Sequence, residues 1–277
     1  MNPRRVARRL AGRVPPGARA GARRAVVRAR HVPLTGADVV LASYPKSGST
    51  WLRFVLISAL TGRDVDFDNV RRISPPLGHL RGADAIVPGG GRLVKSHDLP
   101  VFAPGRPRPR AVHLVRDGRD VAVSYFHHRT RRGLAPPTLE QYLDRFLAGD
   151  SGPFGSWQRH ALAWRDAVAE RPDLALTVRY EDLRADPVAT VLRISDHVGL
   201  GLTAVAVERA VAANDTSSMR AKESASTWLA ANSADRSIAF VRAGRTGDWR
   251  TSFDDAATAR FRREAGDALA AFDYPLD

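Results

Sequence analysis

Lys46 and Lys95 are two of only three lysines in a chain that carries 43 lysines and arginines; the third is Lys222. Where arginine fills nearly every cationic position, a retained lysine marks a place the planar guanidinium does not suit. A slim ammonium reaches a bridging oxygen as a point charge, whereas the wide guanidinium fork crowds a reacting group. Both lysines stand beside serine at the end of an apolar run, in Tyr44-Pro45-Lys46-Ser47-Gly48-Ser49-Thr50-Trp51 and in Val94-Lys95-Ser96-His97. His97 adds a base that accepts a proton near neutrality, with an unperturbed pKa of about 6.5. Lys95 and His97, two residues apart, share one face of an extended segment.

The Lys46 segment reads as a strand, a tight Ser/Gly turn and a helix. Such a turn points backbone N–H groups inward, and the helix start adds roughly half a positive charge. Ser47, Ser49 and Thr50 add hydroxyls, and Lys46 adds a full charge. A nucleotide-triphosphatase loop would need lysine directly after the second glycine of Gly-x-x-x-x-Gly-Lys-Ser/Thr; here Lys46 precedes Gly48. A second anion site follows Val115. Arg116 ends an apolar run and can fork onto a phosphate. Ser124 lies eight residues on, about two helical turns, and faces the same groove. Arg119 and Asp120 read as members of structural ion pairs.

The elements that must position these groups follow from the punctuation of the chain. Short apolar runs at 38–43, 93–96, 111–115 and 174–180 predict strands. Helical spacing predicts helices over 49–60, 117–128 (capped by Asp117), 138–148, 157–170, 187–198, 203–213 and 254–271. Residues 61–92 predict a long irregular loop, and 214–252 a loop with short helical pieces. Strands alternating with helices predict an α/β fold: a three-layer, P-loop-like parallel β-sheet flanked by α-helices. Ligands of such sheets sit at the carboxyl ends of strands, where both turns fall.

These motifs resemble those of the cytosolic-type sulfotransferases, which move a sulfonate from 3′-phosphoadenosine 5′-phosphosulfate (PAPS) to a hydroxyl or amine. Residues 44–51 resemble the family's 5′-phosphosulfate loop, and Arg116 to Tyr125 its 3′-phosphate motif. Arg242-Ala243-Gly244 with Gly247-Asp248-Trp249-Arg250 is similar to its C-terminal Arg-x-Gly…Gly-Asp-Trp-Lys segment. The resemblance implies His97 as catalytic base, Lys95 steadying the sulfonate oxygens, Lys46 at the leaving phosphate, and Ser124 restraining Lys46. It implies donor binding by Lys46, Ser47, Gly48, Ser49, Thr50, Trp51, Arg116, Ser124, Tyr180, Thr216, Arg242, Ala243 and Gly244. Ala243 departs from the usual Lys, and Ser218 from a stacking Phe after Thr216-Ser217, which leaves Trp51 to stack on the adenine. Trp249 reads as a core residue that anchors its loop. Nothing matches the family's dimer motif.

Composition narrows the alternatives. A length of 277 residues with 44% hydrophobic content suits a buried core. Cysteine is absent, which excludes disulfides, thiolate metal sites and a cysteine nucleophile, and fits a cytoplasmic setting. No apolar run approaches the roughly 18 residues of a membrane span, and no signal peptide is expected. Net charge is +14, of which residues 1–37 contribute ten arginines and no acid. Residues 1–31 therefore read as a basic, flexible leader broken by Pro15-Pro16, able to touch anionic surfaces, and 32–277 as the catalytic domain. No metal site is expected, nor specific nucleic-acid binding. A P-loop kinase and a non-catalytic nucleotide-binding protein are the alternatives; neither accounts for Lys46, Lys95 and His97 together. A small-molecule or glycan acceptor should meet residues 61–92, 129–157 and 217–241.

Overall fold

The computed structural model describes residues 16–102, 105–242 and 244–277. Four strands form one parallel sheet: β1 (Val39–Ser43), β2 (Leu93–Ser96), β3 (Arg110–Val115) and β4 (Ala175–Arg179). Their spatial order is β2-β1-β3-β4. Leu41 pairs with Lys95 on one side of β1 and with Val112 on the other, and Val112 pairs with Leu176 on β4. The chain thus leaves β1 for β2 on one flank, then crosses to β3 on the other. This reversal opens a crevice at the carboxyl ends of the strands.

β1 is buried along its whole length, as expected of a parallel strand covered on both faces. On one face Leu41, Val112, Leu114 and Val178 pack with α2 (Ser49–Thr61), α8 (Pro187–Val198) and α9 (Ala204–Ala213). On the other, Val40, Ala42, Val94 and Ala111 pack with Trp164 of α6 (Trp157–Glu170). Beyond Val115 a second cluster on that side joins α4 (Gly118–Arg131), α5 (Leu139–Ala148), α6 and the closing helix α12 (Asp255–Ala270). The expected three layers are present.

Caps set most helix starts. Asp117, Thr138, Thr203 and Asp254 each accept a backbone N–H from their own first turn. α6 and α8 begin and end as their sequence patterns predict. Three elements differ from expectation. Pro16–His31 forms a helix, α1, in place of a flexible leader: Pro16 begins the helix instead of breaking it, since a first-turn proline forgoes only an orphan N–H. Its last turn docks on the body through buried Val27 and His31 and an Arg30–Asp98 ion pair of 3.0 Å. The remaining leader residues, 1–15, lie outside the described residues. The long loop after α2 contains one helical turn, α3 (Val70–Ile73), and β4 runs straight into α7 (Tyr180–Ala185). Residues 214–252 hold α10 (Thr216–Ala225), α11 (Thr227–Ala231) and a 3₁₀ turn at Asp248–Thr251.

One tie fixes the C-terminal loop. Asp120 accepts hydrogen bonds from Gly247 N (2.9 Å) and Trp249 N (3.0 Å). Arg119, fully buried, pairs with Asp117, donates to Pro275 O and lies 3.8 Å over the Trp249 ring. Arg119 and Asp120 are thus structural, as expected, and Trp249 is a buried anchor.

Gly118 sets how closely α4 approaches α6, because a Cβ there would fall 2.5 Å from the Trp157 ring. Gly118→Ala should cost about 1–3 kcal/mol, the usual penalty of overpacking. Thermal unfolding should show a lower midpoint; an unchanged midpoint contradicts this packing.

Candidate active site

Each strand delivers one functional group to the same crevice. Lys46 follows β1, His97 follows β2, Arg116 follows β3 and Tyr180 follows β4. Together with the C-terminal loop they line a cavity of about 480 Å³.

The Lys46 loop is a strained turn. Lys46 holds φ at 74°, rare for a residue with a side chain, and Gly48 holds φ at 96°. A Cβ at Gly48 would fall 2.4 Å from the Tyr180 ring, so glycine alone fits there. Gly48 precedes α2, whose first turn has neither a side-chain cap nor an acidic residue. The helix start therefore faces the cavity with its N–H groups uncommitted to any side chain. Lys46 Nζ lies 4.1 Å over the Phe240 ring. The expected Ser124–Lys46 restraint is not made among the described residues: both line the cavity, but Phe240 is the ammonium's neighbour.

Arg116 joins the two ends of the domain. It donates to Asp120 (3.3 Å) and to the Arg245 carbonyl (2.8 Å), and its guanidinium lies 4.5 Å over Tyr180. Its Nε is buried with no partner. Tyr180 in turn donates to Gly244 O at 3.1 Å. A residue expected to bind the donor thus also pins the C-terminal segment.

His97 is oriented by the main chain. Its Nδ1 lies 2.7 Å from the Ser43 carbonyl, which can only accept, so the proton sits on Nδ1 and Nε2 keeps its lone pair. Phe154 packs edge-on against the ring at 5.3 Å. Burial and the neighbouring Lys95 charge hold the imidazole well below its ordinary 6.5, against the pull of the Ser43 hydrogen bond. Burial, reinforced by Arg116 and Arg242, pushes Lys46 down to about 7. Burial, with Arg53, Arg71 and Lys46, does the same to Lys95, also to about 7.

The structure brings Lys46, Gly48, Ser49, Thr50, Trp51, Lys95, His97, Arg116, Ser124, Tyr180, Thr216, Arg242 and Gly244 into this one cavity. Ser47 is not among its lining: the side chain is fully buried, because the twisted turn aims it inward. Ala243 lies outside the described residues. Trp51 lines the cavity with its indole N–H tied to Asn214 O at 2.8 Å. The three segments expected to meet the acceptor contribute Phe67 and Arg71, Arg132 and Phe154, and Trp228 and Phe240. Sequence reasoning missed Arg184 and His128. Arg184 lies four residues past Tyr180 and 5.0 Å over Trp51. His128 lies four past Ser124, a helical spacing that carries the signal. Among the described residues no cluster of three His, Cys, Asp or Glu could hold a metal, and no helix is long and apolar enough to cross a membrane.

The family model described as "Sulfotransferase domain" matches residues 36–273. The chain belongs to the sulfotransferase family. The mouse (Mus musculus) sulfotransferase 1B1 is 32% identical, over 82% of this chain and 81% of the relative. The dog (Canis lupus familiaris) sulfotransferase 1A1 is 30% identical, over 81% and 80%. Among solved structures, a retinol dehydratase in complex with retinol and PAP superposes with a TM-score of 0.68 at 21% identity, covering 88% of this chain and 84% of that one. A mouse sulfotransferase, SULT7A1, complexed with PAP gives 0.65 at 22%, covering 88% of each chain. At these identities the structures show a shared fold, and the family assignment makes the protein a sulfotransferase enzyme.

The depressed lysines and histidines give this sulfotransferase a definite pH response. Between about 7 and 10.5 the unfolded chain holds protons on Lys46 and Lys95 that the fold does not. Below 6.5 the same holds for His97, His113 and His160, all lowered chiefly by burial. Stability rises with pH wherever the unfolded state binds more protons. The ligand-free melting temperature should therefore climb from pH 6 to pH 9, and a flat or falling profile contradicts these shifts.

Proposed function

We propose that the enzyme takes its sulfonate from PAPS and passes it to a hydroxyl or amine of a small molecule or glycan, with His97 as general base. The observation that carries this reading is the 2.7 Å contact of His97 Nδ1 with Ser43 O. It leaves Nε2 as an acceptor beside Lys95, in a cavity with the Lys46 turn and Arg116. The donor, when bound, supplies an activated sulfonate on a nucleotide leaving group.

The residues present fit such a donor. The uncapped start of α2 and the Lys46–Gly48 turn suit a 5′-phosphate, and Arg116, with its orphaned Nε, suits a 3′-phosphate beside Ser124 and Arg242. Trp51 and Arg184 offer planar surfaces to a purine, with Tyr180 and Thr216 along the same wall. Gly48, and Gly244 with Ala243, would bind through the main chain; Ser47, its hydroxyl buried, would contribute only its backbone, and Ser49 and Thr50 their hydroxyls. Lys95 would steady oxygens on the migrating group, and Lys46 would neutralise the departing phosphate. His97, neutral across the physiological range, is ready to accept the acceptor's proton at Nε2. The reaction is carried by residues 32–277, and the cysteine-free chain suits the cytoplasm.

His97→Ala should lower kcat by about 10²–10⁴, the usual worth of a general base. Its affinity for adenosine 3′,5′-bisphosphate (PAP) should be retained in titration calorimetry; full turnover by that variant refutes the assignment. A bound anion raises both lysines above their ligand-free value of about 7. PAP binding at pH 8 should therefore take up protons, visible as a buffer-dependent binding enthalpy; an enthalpy independent of buffer contradicts it.

A further inference from the structure

The cavity carries far more positive charge than a nucleotide needs. Ten lysines and arginines line it against one carboxylate, Asp248, which is 3.5 Å from Arg242. Two phosphate monoesters bring about −3 to −4 at neutral pH. Lys46, Arg116, Arg184, Arg242 and Arg245 on the donor side already match that. Arg53 is buried and bonded to Ser74 and to the Val70 carbonyl, so its role is structural. Three arginines outside every donor motif are left: Arg71, Arg129 and Arg132.

None of the three makes an ion pair among the described residues. Their neighbours do: Arg63 and Arg72 both pair with Asp84, and Arg131 pairs with Glu223. Arg71 instead lies 5.2 Å over the Trp228 ring. Asp68, on the same loop, bonds Ser226, Thr227 and the Trp228 N–H. Arg129 donates to the Leu134 carbonyl, at 3.2 Å, and stands beside the neutral Tyr125 phenol. No residue outside the described set is an acid, so the chain holds no hidden partner. The start of the α4 stripe explains the placement: Ser124, His128 and Arg132 are spaced by four, which carries Arg132 about 12 Å along the helix from the donor side. Its C-terminal dipole offsets only about half a charge, less than Arg129 and Arg132 together. His128, lying between, is pushed down to about 3 by burial and then by Lys46 and Arg132, in keeping with a strongly positive field.

Resting on the proposed sulfonate transfer, we infer that the acceptor is itself an anion: an aromatic or otherwise apolar body bearing a carboxylate or a similar group, held by Arg71, Arg129 and Arg132. Phe67, Phe154 and Trp228 supply apolar lining: Phe154 packs on His97 at 5.3 Å and Trp228 lies under Arg71. The acceptor hydroxyl meets His97 while its charged end lies against the surplus arginines.

Titration calorimetry on the PAP-loaded full chain tests this with two phenols, 3-(4-hydroxyphenyl)propanoate and its primary amide. The carboxylate should bind at least about tenfold more tightly, the worth of one charge-assisted hydrogen bond. The triple variant Arg71→Gln, Arg129→Gln, Arg132→Gln should bind the two probes alike while still binding PAP, which also reports its folding. Equal wild-type affinities, tighter binding of the amide, a preference that survives in the triple variant, or no binding of the carboxylate each overturns the inference. Failure of the wild type to bind PAP would instead sink the donor reading, so the two failures are distinguishable.

Discussion

Positive charge gathered where four parallel strands end, with almost no carboxylate to offset it, is the constraint on which the rest of the architecture depends. Charges of one sign in a crevice of low dielectric raise one another's energy. In its two lysines that cost adds to the larger one of burial, and both are driven down to about 7. A fold tolerates such a cluster only if the surrounding scaffold is stiff and the ligand supplies the missing negative charge. Here the sheet is covered on both faces, and at the crevice strand ends, a helix start and loops leave polar groups facing inward.

The scaffold holds the cluster through pieces far apart in sequence. Asp120 is the hub: one carboxylate meets Arg116 and the N–H groups of Gly247 and Trp249. Arg119 on the adjacent position locks the same loop from below through Trp249 and the C-terminal Pro275. A separate strap holds the far wall. Glu223 accepts from Phe240 N (2.6 Å) and Val241 N (2.7 Å) and pairs with Arg131, so the ring over Lys46 is fixed by a buried ion pair on α4 and α10. Apart from the contact of Asp120 with Arg116, these buried carboxylates are thus spent on backbone N–H groups and on structural arginines.

Most of the fold was legible in the sequence because apolar runs, caps and turn residues agree locally. The strand–turn–helix units at Lys46 and Arg116 needed no tertiary information. What escaped was set by packing. α7 has only six residues and follows β4 without a break, so Tyr180 reads as strand from its β propensity. Nothing in a Lys-Ser-Gly string announces that Lys46 takes a left-handed conformation and turns Ser47 inward. Pro15-Pro16 reads as a breaker until the helix is seen to start at Pro16. Arg184 and Phe240 reach the cavity through the docking of α7 and of the strap, and neither stands in a motif.

The partner that orients His97 is a main-chain oxygen, Ser43 O. An aspartate in that position would orient the ring equally well, yet it would plant a negative charge in the path of an anionic nucleotide and make the imidazole more basic. A carbonyl of β1 does the same work without net charge. It also has no codon of its own: any residue at position 43 presents the same oxygen as long as the strand holds its register. The main-chain contact, the shorter of the two that Ser43 makes with the ring, is therefore inherited with the sheet instead of with a side chain.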